Sequence, residues 1–479
     1  MVRAVFCLLL VWVGCLGQLH AQPLLPAPTA CDSLHIRYIV LVGNRITRKH
    51  IVLRELGYAE GQVLAASDTG LLFTEGRNRV FNTRLFVAVR QNIIPLEAPQ
   101  HGCPQPVLVE LILKERWYLF PFPILELADR SINEWIYNRG ADPSRINYGM
   151  RVDAYNLRGR NETLKLIGQL GFTRKLEASY VFPYLSKRLK EGLALEAMYS
   201  SNRQAAIRSA GNKQFFQENP GRGPLFERFR AGAEFSLRPQ FWLTHRLAAG
   251  YGWSALADSI AQQAPDFFLD GKSFQRFFYL RYNFNYDRRD IRQYPLKGFY
   301  FDFTAERFGL RPQDDVQFWS TSADLSYFRP LGGRWYGATG FSATASTPMR
   351  QPYAQIRILG FSQRFVRGYE RYVMESPVNV VVKNTVRYKL FQRTYQLKGM
   401  PLHEFSTLPL SLYLKGFVDG GYARNPFPLP DNKRLLNTLL LGTGVGLDIV
   451  TYYDYVLRLE YSRNRQGEQG FFIHVAVEL

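Results

Sequence analysis

Between Trp117 and Leu479, segment after segment alternates apolar with polar residues, and few folds tolerate so long a run with period two. "INYGMRVDAY" sets Ile146, Tyr148, Met150, Val152 and Ala154 against Asn147, Gly149, Arg151 and Asp153. "FYLRYNFNYD" sets Phe278, Leu280, Tyr282, Phe284 and Tyr286 against Arg281, Asn283, Asn285 and Asp287. "YVLRLEYS" and "FFIHVAVEL" repeat the arrangement, the latter with Phe471, Ile473, Val475, Val477 and Leu479 opposite His474 and Glu478. About 16 such segments occupy the region, each with its connection taking about 23 residues, whereas a strand crossing a bilayer needs ~9–11. A soluble sandwich also alternates, but with shorter strands. In lipid only a closed barrel satisfies every backbone group without helices. The 28 Tyr and 35 Phe then have a place, as girdles where strands meet the membrane surface. The expected fold is mainly β: a 16-stranded antiparallel transmembrane β-barrel.

The N-terminus sets the compartment. Arg3 precedes an apolar run, Ala4 to Leu16, too short to span a bilayer, and Ala21 is the small residue of a cleavage site. Residues 1–21 are therefore expected to be a signal peptide and 22–33 a linker; lipidation at Cys15 is the weaker alternative, with Trp12 a poor residue ahead of it. An exported barrel belongs in the outer membrane of a diderm bacterium.

Residues 34–116 have another texture, that of a small α/β domain. "LHIRYIVLVGN" reads as a strand ending at Gly43-Asn44. "TRKHIVLREL" reads as a helix with Thr47 as N-cap and Ile51, Leu53 and Leu56 inward. "DTGLLFTEGRNRVFN" suits a second helix starting at Asp68, with Leu71, Leu72, Val80 and Phe81 inward. "RLFVAVRQNII" and "PVLVELILKE" are two further strands.

The net charge of +20 would suit nucleic acid, but the basic residues are spread along the alternating segments of an exported chain. A basic lumen, or a surface facing anionic lipid, is the expectation, with no nucleic-acid partner. There is no Gly-x-Ser-x-Gly elbow, phosphate-binding glycine loop, CxxC or HExxH. No cofactor, metal or catalytic residue is expected, and the chain is read as a non-enzyme. His474 is read as a structural histidine; a Ser/His site assembled from distant strands is the enzymatic alternative. "WYLFPFPILEL" carries Pro121 and Pro123 two apart, so their missing N–H groups fall on one edge if the segment is a strand. As the first barrel strand it would meet the last, with Ile473, Val475 and Leu479, in a seam short of hydrogen bonds that could open sideways. A linker ahead of the barrel is the other reading.

The order of these pieces, with several short motifs, resembles the outer-membrane-protein assembly factors, the BamA/TamA-like surface antigens. "VGNRITRKHIVLREL" and "NRVFNTRLFVAV" are similar to that family's POTRA domain. "NLRGRNETLKL", "YVFPYL", "NYDRRDIRQYPLKGFYFDF", "GFVDGGY", "GTGVGLDI" and "LRLEYS" are similar to its barrel strands and hairpins, in the family's order. "FVRGYE" matches its Val-Arg-Gly-Phe/Tyr motif, on a loop that folds back into the barrel. The chain departs from the pattern in having room for one POTRA domain and in ending on Leu479 rather than an aromatic residue.

The resemblance implies that Arg367 pairs with Asp419 of the Asp-x-Gly strand, whose face Lys415 also marks as lumenal, with Glu460 as second partner. Gly368 would permit close backbone approach and Tyr369 would pack on the wall; an exposed, solvated Arg367 is the alternative. It further implies that the strands following Cys31 and Cys103 lie parallel and adjacent, so that these cysteines form a structural disulfide. Implied partners are unfolded outer-membrane or secreted client proteins, membrane lipid, and accessory periplasmic proteins or lipoproteins. The implied activity is assembly, insertion or translocation of clients, with the POTRA domain in the periplasm. A passive outer-membrane channel, or a polypeptide or lipid secretion pore, is the competing reading.

Overall fold

The computed structural model describes residues 33–96, 104–127, 135–136, 140–186, 189–218, 223–356, 358–360, 364–397, 407–451 and 455–477. The signal-peptide segment, Cys31, Cys103, Gln363 and Leu479 lie outside the described residues.

The first unit is an α/β domain built from β1 (Ser33–Val42), α1 (Lys49–Leu56), β2 (Val63–Ala65), α2 (Ala66–Asn82), β3 (Phe86–Pro95) and β4 (Gln105–Glu115). Its sheet order is β2-β1-β4-β3, with β1 and β4 parallel and Leu34 opposite Gln105. Both helices pack on one face, over Ile36, Ile39, Val107, Val109 and Leu111. Three expectations are corrected. Thr47 does not cap α1: the N-cap is Arg48, without a side-chain bond. The Thr47 hydroxyl instead meets the Tyr118 hydroxyl at 3.0 Å and accepts from Asn156 at 2.8 Å. Asp68 lies within the first turn of α2, which begins at Ala66. On that helix Leu71 is 67% exposed while Phe73 is buried, because the 3.6-residue period carries the inward face through Phe73, Gly76 and Val80.

The second unit is one 16-stranded antiparallel sheet. It runs β5 (Leu119–Leu127), β6 (Ile146–Leu157), β7 (Glu162–Gly171), β8 (Thr173–Phe182), β9 (Glu191–Asn202), β12 (Phe226–Gln240), β13 (Leu243–Leu256), β14 (Phe274–Asp287), β15 (Gly298–Phe308) and β16 (Phe318–Gly332). It continues with β17 (Trp335–Thr347), β20 (Val378–Gln396), β21 (Thr407–Arg424), β22 (Leu439–Val450), β23 (Tyr455–Asn464) and β24 (Gln469–Val477). A hairpin of β10 (Gln204–Ala210) and β11 (Lys213–Glu218), and the short pair β18 (Ile358–Leu359) and β19 (Met374–Glu375), stand outside the sheet.

Burial along the strands is inside-out. Leu125, Leu176, Leu195, Val445 and Ile473 are exposed, while Asn147, Asp153, Asn283 and Glu460 are buried. That is the distribution of a barrel whose outer face meets hydrocarbon and whose polar residues line the lumen. One end of the barrel carries the α/β domain, which rests on the strand turns there. The Arg48 N–H donates to the Gly159 carbonyl at 3.0 Å, Asn82 donates to the Asp290 carbonyl at 3.2 Å, and Lys114 reaches Thr407 at 3.0 Å. Arg79 stands over the Phe241 ring at 4.5 Å.

The tightest of these joints is Glu55 of α1, which accepts two bonds from Arg238 at 2.7 and 3.0 Å while 1% exposed. Burial alone would raise the Glu55 carboxyl, but Arg238 and Arg54 outweigh it and hold it below the usual carboxylate range. A carboxyl lowered in the docked state contributes stability above its free value of about 4.3 and loses it as pH falls through the docked value. A fluorophore pair across the joint should therefore separate on acidification below about pH 4.3, and Glu55→Gln should separate it at neutral pH. Unchanged distances in both cases would remove this joint as the anchor.

Candidate functional site

The long connection from β17 to β20 turns back against the inner wall, and its stretch from Arg364 to Pro377 is where the buried charges of the barrel meet. Arg367 is 7% exposed and Asp419, on β21, 0%. The guanidinium donates from Nε to Asp419 Oδ2 at 2.7 Å and from Nη2 to Oδ1 at 2.6 Å, and the Arg367 backbone N–H adds a third bond at 3.2 Å. The fork matches the carboxylate on both oxygens, which fixes orientation as well as charge. Nη2 also donates to the Thr385 hydroxyl at 3.0 Å, the guanidinium lies 3.8 Å above the Phe417 ring, and Glu460 Oε1 is 3.5 Å from Nη1. Arg364 anchors the loop's other flank on Asp324 at 2.6 Å and Thr344 at 2.9 Å.

The network continues toward the domain end. Glu460 meets Lys415 at 2.8 Å, Lys415 also bonds Asp448, and Asp448 accepts from the Tyr294 hydroxyl at 2.8 Å. Tyr294 belongs to the β14–β15 turn, whose Asp290 carbonyl holds Asn82 of α2. Buried ion pairs thus lead from the inward loop to the turn that carries the α/β domain.

Gly368 has φ of 93°, a left-handed conformation in which glycine is unstrained. Tyr369 is fully buried among Leu359, Val366, Met374, Val381 and Leu440, and its hydroxyl donates to Gln466 at 2.5 Å. The neighbouring Glu370 and the His474 of β24 approach Glu460 from the lumen side, with His474 Nε2 at 3.3 Å from Glu460 Oε2.

Two residues essential to this seat were missed in the sequence. A Cβ at Gly442 would stand 1.7 Å from the Arg367 carbonyl oxygen, and one at Gly421 would stand 2.4 Å from Val366. Strands β21 and β22 are bare on their inner face where the loop backbone presses in. Glycines inside strand patterns signal such close approach, and "DGG" and "GTG" carried that signal. Gly442→Ala is expected to lift the loop, at an overpacking cost of ~1–3 kcal/mol. Protease cleavage between 364 and 377 should rise severalfold; an unchanged cleavage pattern would show that the close approach is not tight in solution.

Pro121 and Pro123 lie in β5, the first strand of the sheet, and not in a linker before it. The Tyr155 N–H donates to the Tyr118 carbonyl at 2.7 Å, which fixes the alternation along the pair. With Leu119 opposite Ala154, residues 120, 122 and 124 exchange bonds with β6, and residues 121 and 123 turn theirs to the other edge. Both missing donors therefore fall on the side away from β6. Among the described residues no strand ladder joins that edge to β24, on which Ile473 is exposed and Val475 lies two positions on. Arg367, Gly368, Tyr369, Asp419 and Glu460 are brought together; Pro121, Pro123 and Ile473 lie on the two terminal strands.

Residues 156–373 match the Omp85 superfamily domain. A solved structure of BamA from Haemophilus ducreyi lacking POTRA domains 1–3 is similar in fold, with TM-score 0.52, 15% identity, and coverage of 92% of this chain and 84% of that one. CdiB from Escherichia coli is similar with TM-score 0.55, 13% identity, and coverage of 92% and 75%. No curated protein matches the chain by sequence. The match runs from the Asn156 hairpin, on which the α/β domain rests, through the Arg367 loop, and stops short of Asp419 and Glu460: over residues 156–373 the chain is similar to the Omp85 superfamily domain.

Proposed function

We propose that this chain inserts or translocates client polypeptides at the outer membrane, through a barrel whose first and last strands can part. The observation that carries the reading is the outer edge of β5, which among the described residues pairs with no strand and is stripped of two donors by Pro121 and Pro123. An edge that cannot zip completely to its neighbour can open toward lipid and offer a strand template to an incoming chain. The α/β domain is proposed to be a POTRA domain standing in the periplasm. Its ten-residue strand β3 is the terminal strand of the domain's sheet among the described residues, an edge that an extended client could pair with. No chemical step is needed; client folding supplies the energy.

A passive channel is the competing reading, and the loop against the inner wall counts against it. Depletion of the chain should lower the amounts of other outer-membrane barrels several-fold, and the purified protein should lack large, steady conductance in a planar bilayer. Normal barrel levels together with steady conductance would reverse the choice.

A further inference from the structure

We propose that Glu370, Glu460 and His474 form a site for a divalent first-row transition-metal ion, of the Zn²⁺ class, that clips the inward loop to the last two strands. The three side chains come from three separate elements: the loop, β23 and β24. Each offers one ligand atom, and the three atoms lie within 4.8 Å of one another. His474 Nε2 stands 3.3 Å from Glu460 Oε2 and 3.9 Å from Glu370 Oε1. With metal–ligand bonds of about 2.0–2.2 Å, ligand atoms of a tetrahedral site sit roughly 3.3–3.6 Å apart. One edge already has that length, and a bound ion would have to draw Glu370 Oε1 in from 3.9 Å of His474 Nε2.

A second observation points into the same space. Glu370 is only 8% exposed, yet among the described residues its Oε1 accepts no hydrogen bond and His474 Nε2 has no hydrogen-bond partner. A buried acceptor left unmet is costly, and two carboxylates facing one imidazole nitrogen repel unless a cation stands between them. Lys415 and Arg367 already stand on Glu460, at 2.8 and 3.5 Å, so the acceptor left to be met is Glu370 Oε1.

The ligands are also held in place. Glu370 Oε2 accepts from the Gly368 N–H at 2.7 Å, Glu460 is gripped by Lys415, and the His474 ring is stacked on Phe365 with centroids 5.3 Å apart. Such outer contacts orient metal ligands. One imidazole with two carboxylates suits Zn²⁺, Mn²⁺ or Fe²⁺ rather than a thiolate-seeking ion. His474 is 27% exposed, which leaves a path from the lumen and room for water as a further ligand. A bound ion would fasten the strand on one side of the seam to the loop that Arg367 locks.

The test uses the full chain in detergent micelles, purified without a histidine tag, stripped with chelator and titrated with Zn²⁺, then with Co²⁺ for its visible absorption. One tight Zn²⁺ per chain is expected, with four- or five-coordinate Co²⁺ bands. His474→Ala and Glu370→Gln should each weaken binding by roughly tenfold or more, while His245→Ala should not. Heat-dependent gel mobility establishes that each variant has folded. Glu370→Gln, on a loop, remains informative if His474→Ala fails to fold. Absence of Zn²⁺ binding at micromolar concentration, or binding unchanged in Glu370→Gln, overturns the site and leaves a proton shared between His474 and the carboxylates.

Discussion

Arg367→Ala is expected to free the loop from the barrel wall and to abolish most of the protein's activity. The substitution strands Asp419, which is fully buried, without its bidentate partner, and it strips Glu460 of one of its cations. Breaking one half of a buried pair costs ~3–5 kcal/mol, because the remaining charge keeps its desolvation penalty. A loss of that size exceeds what a surface loop can recover from its other contacts, so protease access between 364 and 377 should rise by orders of magnitude. Arg367→Lys should fall between the two, since it keeps the charge and loses the fork. The exchange Arg367→Asp with Asp419→Arg restores the charges in mirrored order and should recover part of the protection. If the exchange restores nothing and Arg367 proves accessible to modification, the lock does not exist.

A disulfide across the seam should stop the protein as completely. Cysteine pairs placed along 119–127 and 471–477 are expected to crosslink unevenly, poorly beside Pro121 and Pro123 where the edge lacks donors. Where a bond does form, client assembly should fall to near background and return on reduction. The reasoning is geometric: an opening between terminal strands needs a separation that one covalent link forbids. Efficient crosslinking at every position, with undiminished activity, would show that the seam stays shut during function.

The barrel was legible because the constraint that makes it is local. In lipid each strand must turn apolar residues outward, and that requirement is written into consecutive residues such as Leu457 to Tyr461. The α/β domain was legible in element order but less so in detail. Leu71 and Phe73 are close neighbours of similar hydrophobicity, and only the phase of α2 against its sheet decides between them. Thr47 was misassigned because a threonine before a helix usually caps it, whereas here Tyr118 and Asn156, far along the chain, claim its hydroxyl. The Arg367–Asp419 pair was reachable through a motif. Its extensions through Lys415, Asp448 and Tyr294, and the Glu55–Arg238 joint, were not, since nothing local marks which buried charges will meet across such separations. Gly421 and Gly442 stood in plain view, but their meaning depends on the loop that fills the space they leave.

The seat of the inward loop has a consequence for how the barrel is made. Among the described residues the side-chain partners of Arg367 lie later in the chain than the loop itself, on β20, β21 and β23. The loop cannot be seated until those strands have paired. A slip of one residue in β21 would send Asp419 to the lipid side and bring Val418 or Gly420 inward. Gly442 would no longer face the Arg367 carbonyl if β22 slipped with it. The contacts of Arg367 therefore require the last strands to be in correct register, and a slip among them would leave the loop unseated.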